Sequence, residues 1–141
     1  MLSNWAEEAG PLRALGLVRR GRDLLERSLE IDPEALGGAA HTTLGAIYYQ
    51  VPGFPLGFGS QSKAEEHLRR ALEIAPDAID PNFFYGDYLM NRGRWGKAAA
   101  WLRRANAAPE RPDRSLADAA RRREVRQKLD LVRAELDKRF R

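Results

Sequence analysis

The sequence feature that most constrains the fold is a pattern of small and large apolar residues that recurs after 34 residues. The pattern consists of two triplets, Ala64, Leu68 and Ala71 followed by Ala98, Leu102 and Ala105. Residues three and four apart lie on one face of an α-helix, so each triplet predicts a helix with a closely packed face. A unit that recurs at this period cannot bury its apolar face alone and stacks on its neighbours. The sequence therefore predicts an all-α fold made of helical hairpin repeats.

The copy over residues 79–112 is the most complete. Its first helix carries Asn82, Tyr85, Gly86 and Leu89, and its second helix carries the triplet that begins at Ala98. Gly86 and Ala98 are expected where the two helices approach closely, because a larger side chain would force the backbones apart. Asp80 is expected to cap the start of the first helix, and Gly93 is expected in a left-handed conformation after its last turn.

A second copy covers residues 38–78, and a partial copy covers residues 12–33. The second copy matches at His41, Leu44, Gly45 and Tyr48 and then at the triplet that begins at Ala64. The partial copy has only the second-helix spacing, at Gly21, Leu25 and Ser28. Either this first copy is degenerate, with Trp5 on its first helix, or further residues precede Met1.

The second copy carries seven extra residues between its helices, in a loop over residues 50–60. The loop holds Val51, Phe54, Leu56 and Phe58 among prolines and glycines, and flexible linkers avoid such side chains. One hypothesis is a rigid loop that packs on its own repeat. The other is a lid over a ligand groove. After the loop, Ser62 and Glu65 are expected to form a capping box that starts the next helix.

The groove hypothesis names six candidate binding residues. Phe54 and Phe58 point inward in this hypothesis and line one side of a groove that is completed by Tyr49, Phe83 and Asp87, with Asn82 as a further candidate. For Asp87, an ion pair with Arg111 or Arg114 is an equally good interpretation.

The C-terminal part of the sequence predicts a long helix over residues 115–140 that caps the last repeat. Val125, Leu129, Val132 and Leu136 form one apolar stripe, and the other faces are charged. Repeat arrays need a terminal helix that is apolar on one side and polar on the other. The formal net charge of +4 is concentrated here, since residues 103–141 carry 13 basic and 7 acidic residues.

Over residues 21–109 these motifs resemble the tetratricopeptide repeat superfamily. More narrowly, three segments resemble bacterial repeat proteins of the TRAP-transporter T-component type, namely residues 51–59, residues 80–87, and residues 108–112 with Ala117 and Asp118. The resemblance implies a helical scaffold that binds a ligand or a protein without catalysing a reaction. Proteins of the narrower group are periplasmic lipoproteins or soluble partners of a substrate-binding protein. This sequence departs from them in lacking the lipoprotein signal and the cysteine.

Several kinds of chemistry are disfavoured by the residues. The chain has no cysteine, so disulfides, thiol catalysis and thiolate metal sites are excluded. Gly53, Gly57 and Gly59 lack the Gly-Lys-Ser/Thr ending of a phosphate loop. His41 and His67 do not form a metal-binding motif with their sequence neighbours. The sequence therefore predicts no catalytic residues, no metal and no cofactor.

The most direct interpretation is a scaffold for a protein or peptide partner. An alternative is a small-ligand accessory protein of a bacterial solute transporter, in which the 51–59 loop closes a pocket. A third hypothesis is RNA binding through the basic C-terminal helix, although a solvated capping helix explains that charge better. No apolar run is long enough for a membrane span, and no signal peptide is visible. A cytoplasmic location is expected, or a periplasmic one if an N-terminal signal has been removed.

Overall fold

The structure is a computed structural model that describes residues 10–140, and Trp5 lies outside the described residues. The described residues form six α-helices. They are α1 Pro11–Ile31, α2 Ala39–Gln50, α3 Gln61–Ile74, α4 Ile79–Asn91, α5 Trp95–Asn106 and α6 Ser115–Arg139. Two short 3-10 helices precede α2 and α6, at Ala35–Gly38 and Pro112–Arg114. The prediction of an all-α fold is confirmed, and the predicted last helix ends within one residue of its expected end.

The chain divides into two compact units, residues 1–70 and residues 71–141. In the first unit, α1 packs on α2 and on the 3-10 helix before it. The turn into α2 is left-handed at Leu36, Gly37 and Gly38, where φ is 57°, 62° and 94°. Glycine adopts this conformation at little steric cost, so it reverses the chain tightly ahead of α2.

Helices α2 and α3 approach each other closely at Gly45. A Cβ atom at Gly45 would lie 2.6 Å from Leu68 Cγ and 3.2 Å from the Ala64 carbonyl oxygen. Helix α3 begins at Gln61, and the Ser60 hydroxyl accepts a hydrogen bond of 3.2 Å from the Lys63 N–H. The expected capping box at Ser62 is therefore wrong, because the helix starts earlier and Ser60 caps it.

In the second unit, α4 and α5 form a hairpin that repeats this packing. A Cβ atom at Gly86 would lie 2.8 Å from Leu102 Cγ, so the predicted close approach is confirmed. Gly93 has φ 70°, as predicted, and its N–H donates to the Met90 carbonyl while the Arg94 N–H donates to Leu89. This pair of bonds is a Schellman motif, which satisfies the last carbonyls of α4.

The start of α4 differs from the expectation. The helix begins at Ile79, so Asp80 lies inside the first turn and does not cap it with a side-chain hydrogen bond. Instead, Asp80 accepts a hydrogen bond of 2.9 Å from Arg121 on α6. The carboxylate still lies at the positive end of the helix dipole, where negative charge is stabilising.

Helix α6 packs on α5 and α4 through the predicted stripe. Val125, Leu129 and Val132 are buried, and Leu136 is half-buried. Near its start, the buried Asp118 accepts hydrogen bonds from the backbone N–H and the guanidinium of Arg111. Hydrogen bonding to Arg111 lowers the pKa of Asp118, although burial opposes the shift. Arg122 donates to the carbonyls of Asn106 and Ala108, which lie at the end of α5.

Candidate functional site

The backbone of the loop between α2 and α3 is fixed by its own hydrogen bonds. The Gly59 N–H donates to the Pro52 carbonyl at 2.9 Å, and the N–H groups of Leu56 and Gly57 donate to the Gly53 carbonyl at 3.1 Å. A Cβ atom at Gly57 would lie 2.5 Å from the Pro52 oxygen, and one at Gly59 would overlap the Val51 carbonyl. Gly57 and Gly59 are therefore required by close backbone contacts rather than by flexibility.

The tip of this loop presents two large apolar side chains to solvent. Phe54 is 94% exposed and Leu56 is 76% exposed. The expectation that Phe54 points inward is therefore wrong. The physical reason is the turn closed by the Gly53 carbonyl, which places residues 54–56 at the outer end of the loop.

Phe58, in contrast, packs on its own unit. Its ring meets Tyr48 of α2 edge-on, with 5.9 Å between ring centroids, and the Arg22 guanidinium of α1 lies 4.3 Å from its centroid. Val51, at the start of the loop, is buried. The expectation of a packed loop is therefore confirmed at its base, where Phe58 contacts Tyr48 of α2 and Val51 is buried. The loop thus has a packed base and an exposed tip.

A group of polar and aromatic side chains lies beneath this base. The Tyr48 hydroxyl donates to the Glu26 carboxylate of α1, and burial followed by this bond raises the pKa of Tyr48 to about 12. The His67 ring stacks on Tyr48, with 5.7 Å between centroids and an angle of 2° between planes. His67 Nδ1 lies 3.0 Å from His41 Nδ1.

The contacts of His41 show which of its ring nitrogens carries a proton. His41 Nε2 lies 3.2 Å from the Pro33 carbonyl, which only accepts, so Nε2 carries the proton. When His41 carries this single proton, its Nδ1 accepts a hydrogen bond from His67 Nδ1. Burial lowers the pKa of His67, and the nearby His41 lowers it further. Among residues 10–140, no three His, Asp or Glu side chains form a group suited to a metal ion.

This histidine contact is not predicted by the sequence. In the sequence, His41 matches a repeat position, and no motif links it to His67. Position 67 corresponds to Trp101, 34 residues later, so the spacing predicts an inward-facing side chain at His67 but not its contact with His41. Trp101 also packs on a tyrosine of its own first helix, Tyr85, at 4.9 Å between ring centroids, although Tyr85 corresponds to Leu44 and not to Tyr48.

The remaining predicted residues have structural contacts of their own. In the first unit, Tyr49 is buried. In the second unit, Asn82 is buried and donates to the Pro76 and Ala78 carbonyls at 2.9 and 2.7 Å, which closes the start of α4. Phe83 is buried, and the Arg121 guanidinium lies 5.0 Å from its ring centroid.

The ion pair that the structure shows for Asp87 is with a lysine of α6. The Asp87 carboxylate lies 3.1 Å from Lys128 Nζ of α6, and Arg111 pairs with Asp118 instead. Asp87 is mostly covered. Of the six predicted binding residues, Phe54 is therefore the one whose side chain is fully presented to solvent.

No protein-family model matches this chain. Comparison with curated proteins finds no match either. None of the helices in residues 10–140 is long and apolar enough to cross a membrane.

Proposed function

We propose that this chain is a non-catalytic scaffold of the tetratricopeptide-repeat type that binds a protein partner through the tip of its 51–59 loop. One observation carries the proposal. Phe54 and Leu56 are exposed on a loop whose backbone is closed by hydrogen bonds and by close glycine contacts. Loops held by a rigid scaffold are frequent binding elements.

The repeat assignment is supported by the internal correspondence of the hairpins. Gly45 meets Leu68 as Gly86 meets Leu102, and the two leucines lie 34 residues apart. The aromatic contacts of His67 and Trp101 lie at corresponding positions in the second helices. Each hairpin therefore uses a small residue on its first helix and a leucine on its second, as stacked repeats require.

Burying the exposed side chains of the loop tip in a partner protein would be energetically favourable. Burying a phenylalanine or leucine side chain contributes roughly 1.5–3 kcal/mol relative to leaving it exposed. A binding surface that is already held in place loses less conformational entropy on association. A fixed tip with two such side chains is therefore well suited to insert into a partner surface.

A protein partner fits this tip better than a small ligand does. Small-molecule sites are concave and enclose most of the ligand. Phe54 and Leu56 instead project from the molecule, so they are better placed to enter a partner than to line a pocket. The RNA hypothesis is weakened by the contacts of Arg121 and Arg122, whose guanidinium groups bind Asp80 and the end of α5.

The test is partner capture with a loop variant and a matched control. Phe54→Ser combined with Leu56→Ser removes the tip. Leu116→Ser combined with Phe140→Ser removes the same two residue types from the second unit, where they are 87% and 86% exposed. Each protein is immobilised, cell extract is applied, and the retained proteins are quantified by mass spectrometry. We expect a set of proteins retained by the wild type and the control but lost by the loop variant.

The proposal is contradicted if the loop variant retains the same proteins in the same amounts as the wild type. Circular dichroism and thermal melting of each variant verify folding. Because all four side chains are exposed, none of the substitutions is expected to change stability by more than about 0.5 kcal/mol.

A further inference from the structure

Helix α1 carries an exposed apolar seam, and Glu26 on the opposite side of the helix accepts a hydrogen bond from Tyr48 of α2. Leu17, Leu24 and Ile31 recur at intervals of seven residues, and Leu24 and Ile31 are 69% and 80% exposed. Gly21 and Ser28 lie between them on the same face, at the spacing of three and four residues that defines one side of a helix. We refer to Leu17, Gly21, Leu24, Ser28 and Ile31 as the α1 seam.

In the other two hairpins, the corresponding helix face packs against another helix. Gly21, Leu25 and Ser28 have the spacing of Ala64, Leu68 and Ala71 and of Ala98, Leu102 and Ala105. Those six residues are fully buried, and Leu68 and Leu102 contact the glycine of their own first helix. On α1 the three corresponding residues are only half-buried, and a Cβ atom at Gly21 would meet nothing within 4 Å. Within the described residues, α1 thus has an open face where the other hairpins have a helix.

The charges beside the α1 seam indicate which kind of partner helix it would bind. Arg13, Arg20 and Arg27 are exposed and also recur every seven residues, along one edge of the seam. In paired helices, charged residues that flank the apolar seam choose the partner through opposite charges. We propose that the α1 seam binds an acidic amphipathic α-helix of a partner protein, a proposal that rests on the scaffold function above and adds a second contact surface.

The seam alternates large and small residues, which suits helix packing. Gly21 and Ser28 leave holes between Leu17, Leu24 and Ile31, and leucines of an approaching helix would fill them as knobs fill holes. Acidic residues beside those leucines would meet the three arginines.

Two other occupants fit the seam less well. In an antiparallel pairing of two α1 helices, the arginine edges would face each other and repel. Helices that lie in a membrane surface use a broad apolar face. Here Gly21 and Ser28 interrupt a narrow one.

The test uses a synthetic fluorescent peptide of 21 residues, the length of α1. The peptide carries leucine at its seam positions and glutamate at the flanking positions, and a second peptide replaces these glutamates with lysine. Fluorescence anisotropy gives the Kd of each peptide for the full chain. We expect the glutamate peptide to bind at least about tenfold more tightly than the lysine peptide.

Substitutions on α1 locate the site. Leu24→Ser and Gly21→Glu should each weaken binding of the glutamate peptide by about tenfold or more. The double variant Arg20→Glu and Arg27→Glu should reverse the preference and favour the lysine peptide. All of these positions are partly or fully exposed, so circular dichroism should show unchanged helix content.

The inference is overturned if the two peptides bind equally, if neither binds, or if Leu24→Ser binds as well as the wild type. It is also overturned if vesicles of phosphatidylglycerol and phosphatidylcholine displace the peptide, or if the wild type forms a dimer by light scattering that Leu24→Ser abolishes. The loop variant Phe54→Ser with Leu56→Ser should bind the peptide normally. If the peptide does not bind but the loop-dependent partners are still captured, the seam proposal alone is refuted. If the peptide binds but no partner depends on the loop, the loop proposal alone is refuted.

Discussion

The helix contact at Gly86 makes the packing of the second hairpin measurable. In Gly86→Ala, the new Cβ atom would lie 2.8 Å from Leu102 Cγ and 3.0 Å from Leu102 Cδ2. Carbon atoms pack best at roughly 3.5–4.0 Å, so the helices must separate or Leu102 must leave its rotamer. Overpacking of this kind costs about 1–3 kcal/mol. Alanine regains about 1 kcal/mol in helix propensity over glycine. The expected net destabilisation is therefore about 0–2 kcal/mol.

A matched substitution removes the propensity contribution. Gly16 lies inside α1, and a Cβ atom there would meet nothing within 4 Å, so Gly16→Ala should stabilise the chain by about 1 kcal/mol. The free energies of unfolding of both variants are measured by urea titration. The two should differ by about 1–3 kcal/mol, and combining Gly86→Ala with Leu102→Ala should cost less than the sum of the single changes. Equal stability of Gly86→Ala and Gly16→Ala would refute the close contact.

Three further predictions address the cap, the histidines and the last helix. In urea titration, Ser60→Ala should lower the free energy of unfolding by about 1 kcal/mol, while Ser62→Ala should change it by less than about 0.5 kcal/mol. Equal effects of the two substitutions would contradict the assignment of Ser60 as the cap. The pKa of His67 is lower in the folded chain than its usual value of about 6.5, so below that pH the unfolded chain binds a proton at His67 more readily than the folded chain does. Thermal stability should therefore fall as the pH drops below about 6.5, and His67→Gln should weaken this dependence on pH. Removing residues 115–141 should expose the face of α4 and α5 that α6 covers and cause aggregation in light scattering; a monomeric, helical product would refute this role.

Periodic features of the fold were predictable from the sequence. The close contact at Gly86, the turn at Gly93 and the buried stripe of α6 each depend on spacing along one helix, and a sequence carries that spacing directly. Helix starts were less predictable. Asp80 and Ser62 are plausible capping residues, but a shift of two residues places Asp80 inside α4 and gives the cap of α3 to Ser60.

The candidate site was less predictable because it depends on contacts between elements. Asp87 pairs with Lys128, and His41 with His67, across distances along the chain that no local pattern encodes. Whether the Phe54 side chain points inward or to solvent depends on which carbonyl closes the loop. The turn closed by the Gly53 carbonyl directs it to solvent, opposite to the expectation. The loop was correctly identified as structured, because its apolar residues are costly to leave in a mobile linker.

Binding of one retained partner, purified and titrated by isothermal titration calorimetry, tests the central claim most directly. The titration compares the wild type with the loop variant Phe54→Ser and Leu56→Ser and with the control Leu116→Ser and Phe140→Ser. Two buried apolar side chains each contribute roughly 1.5–3 kcal/mol, so the loop variant should weaken Kd by at least about tenfold while the control remains at the wild-type value. A loop variant that binds as tightly as the wild type, with the same helix content, would contradict the claim that this loop is the binding element.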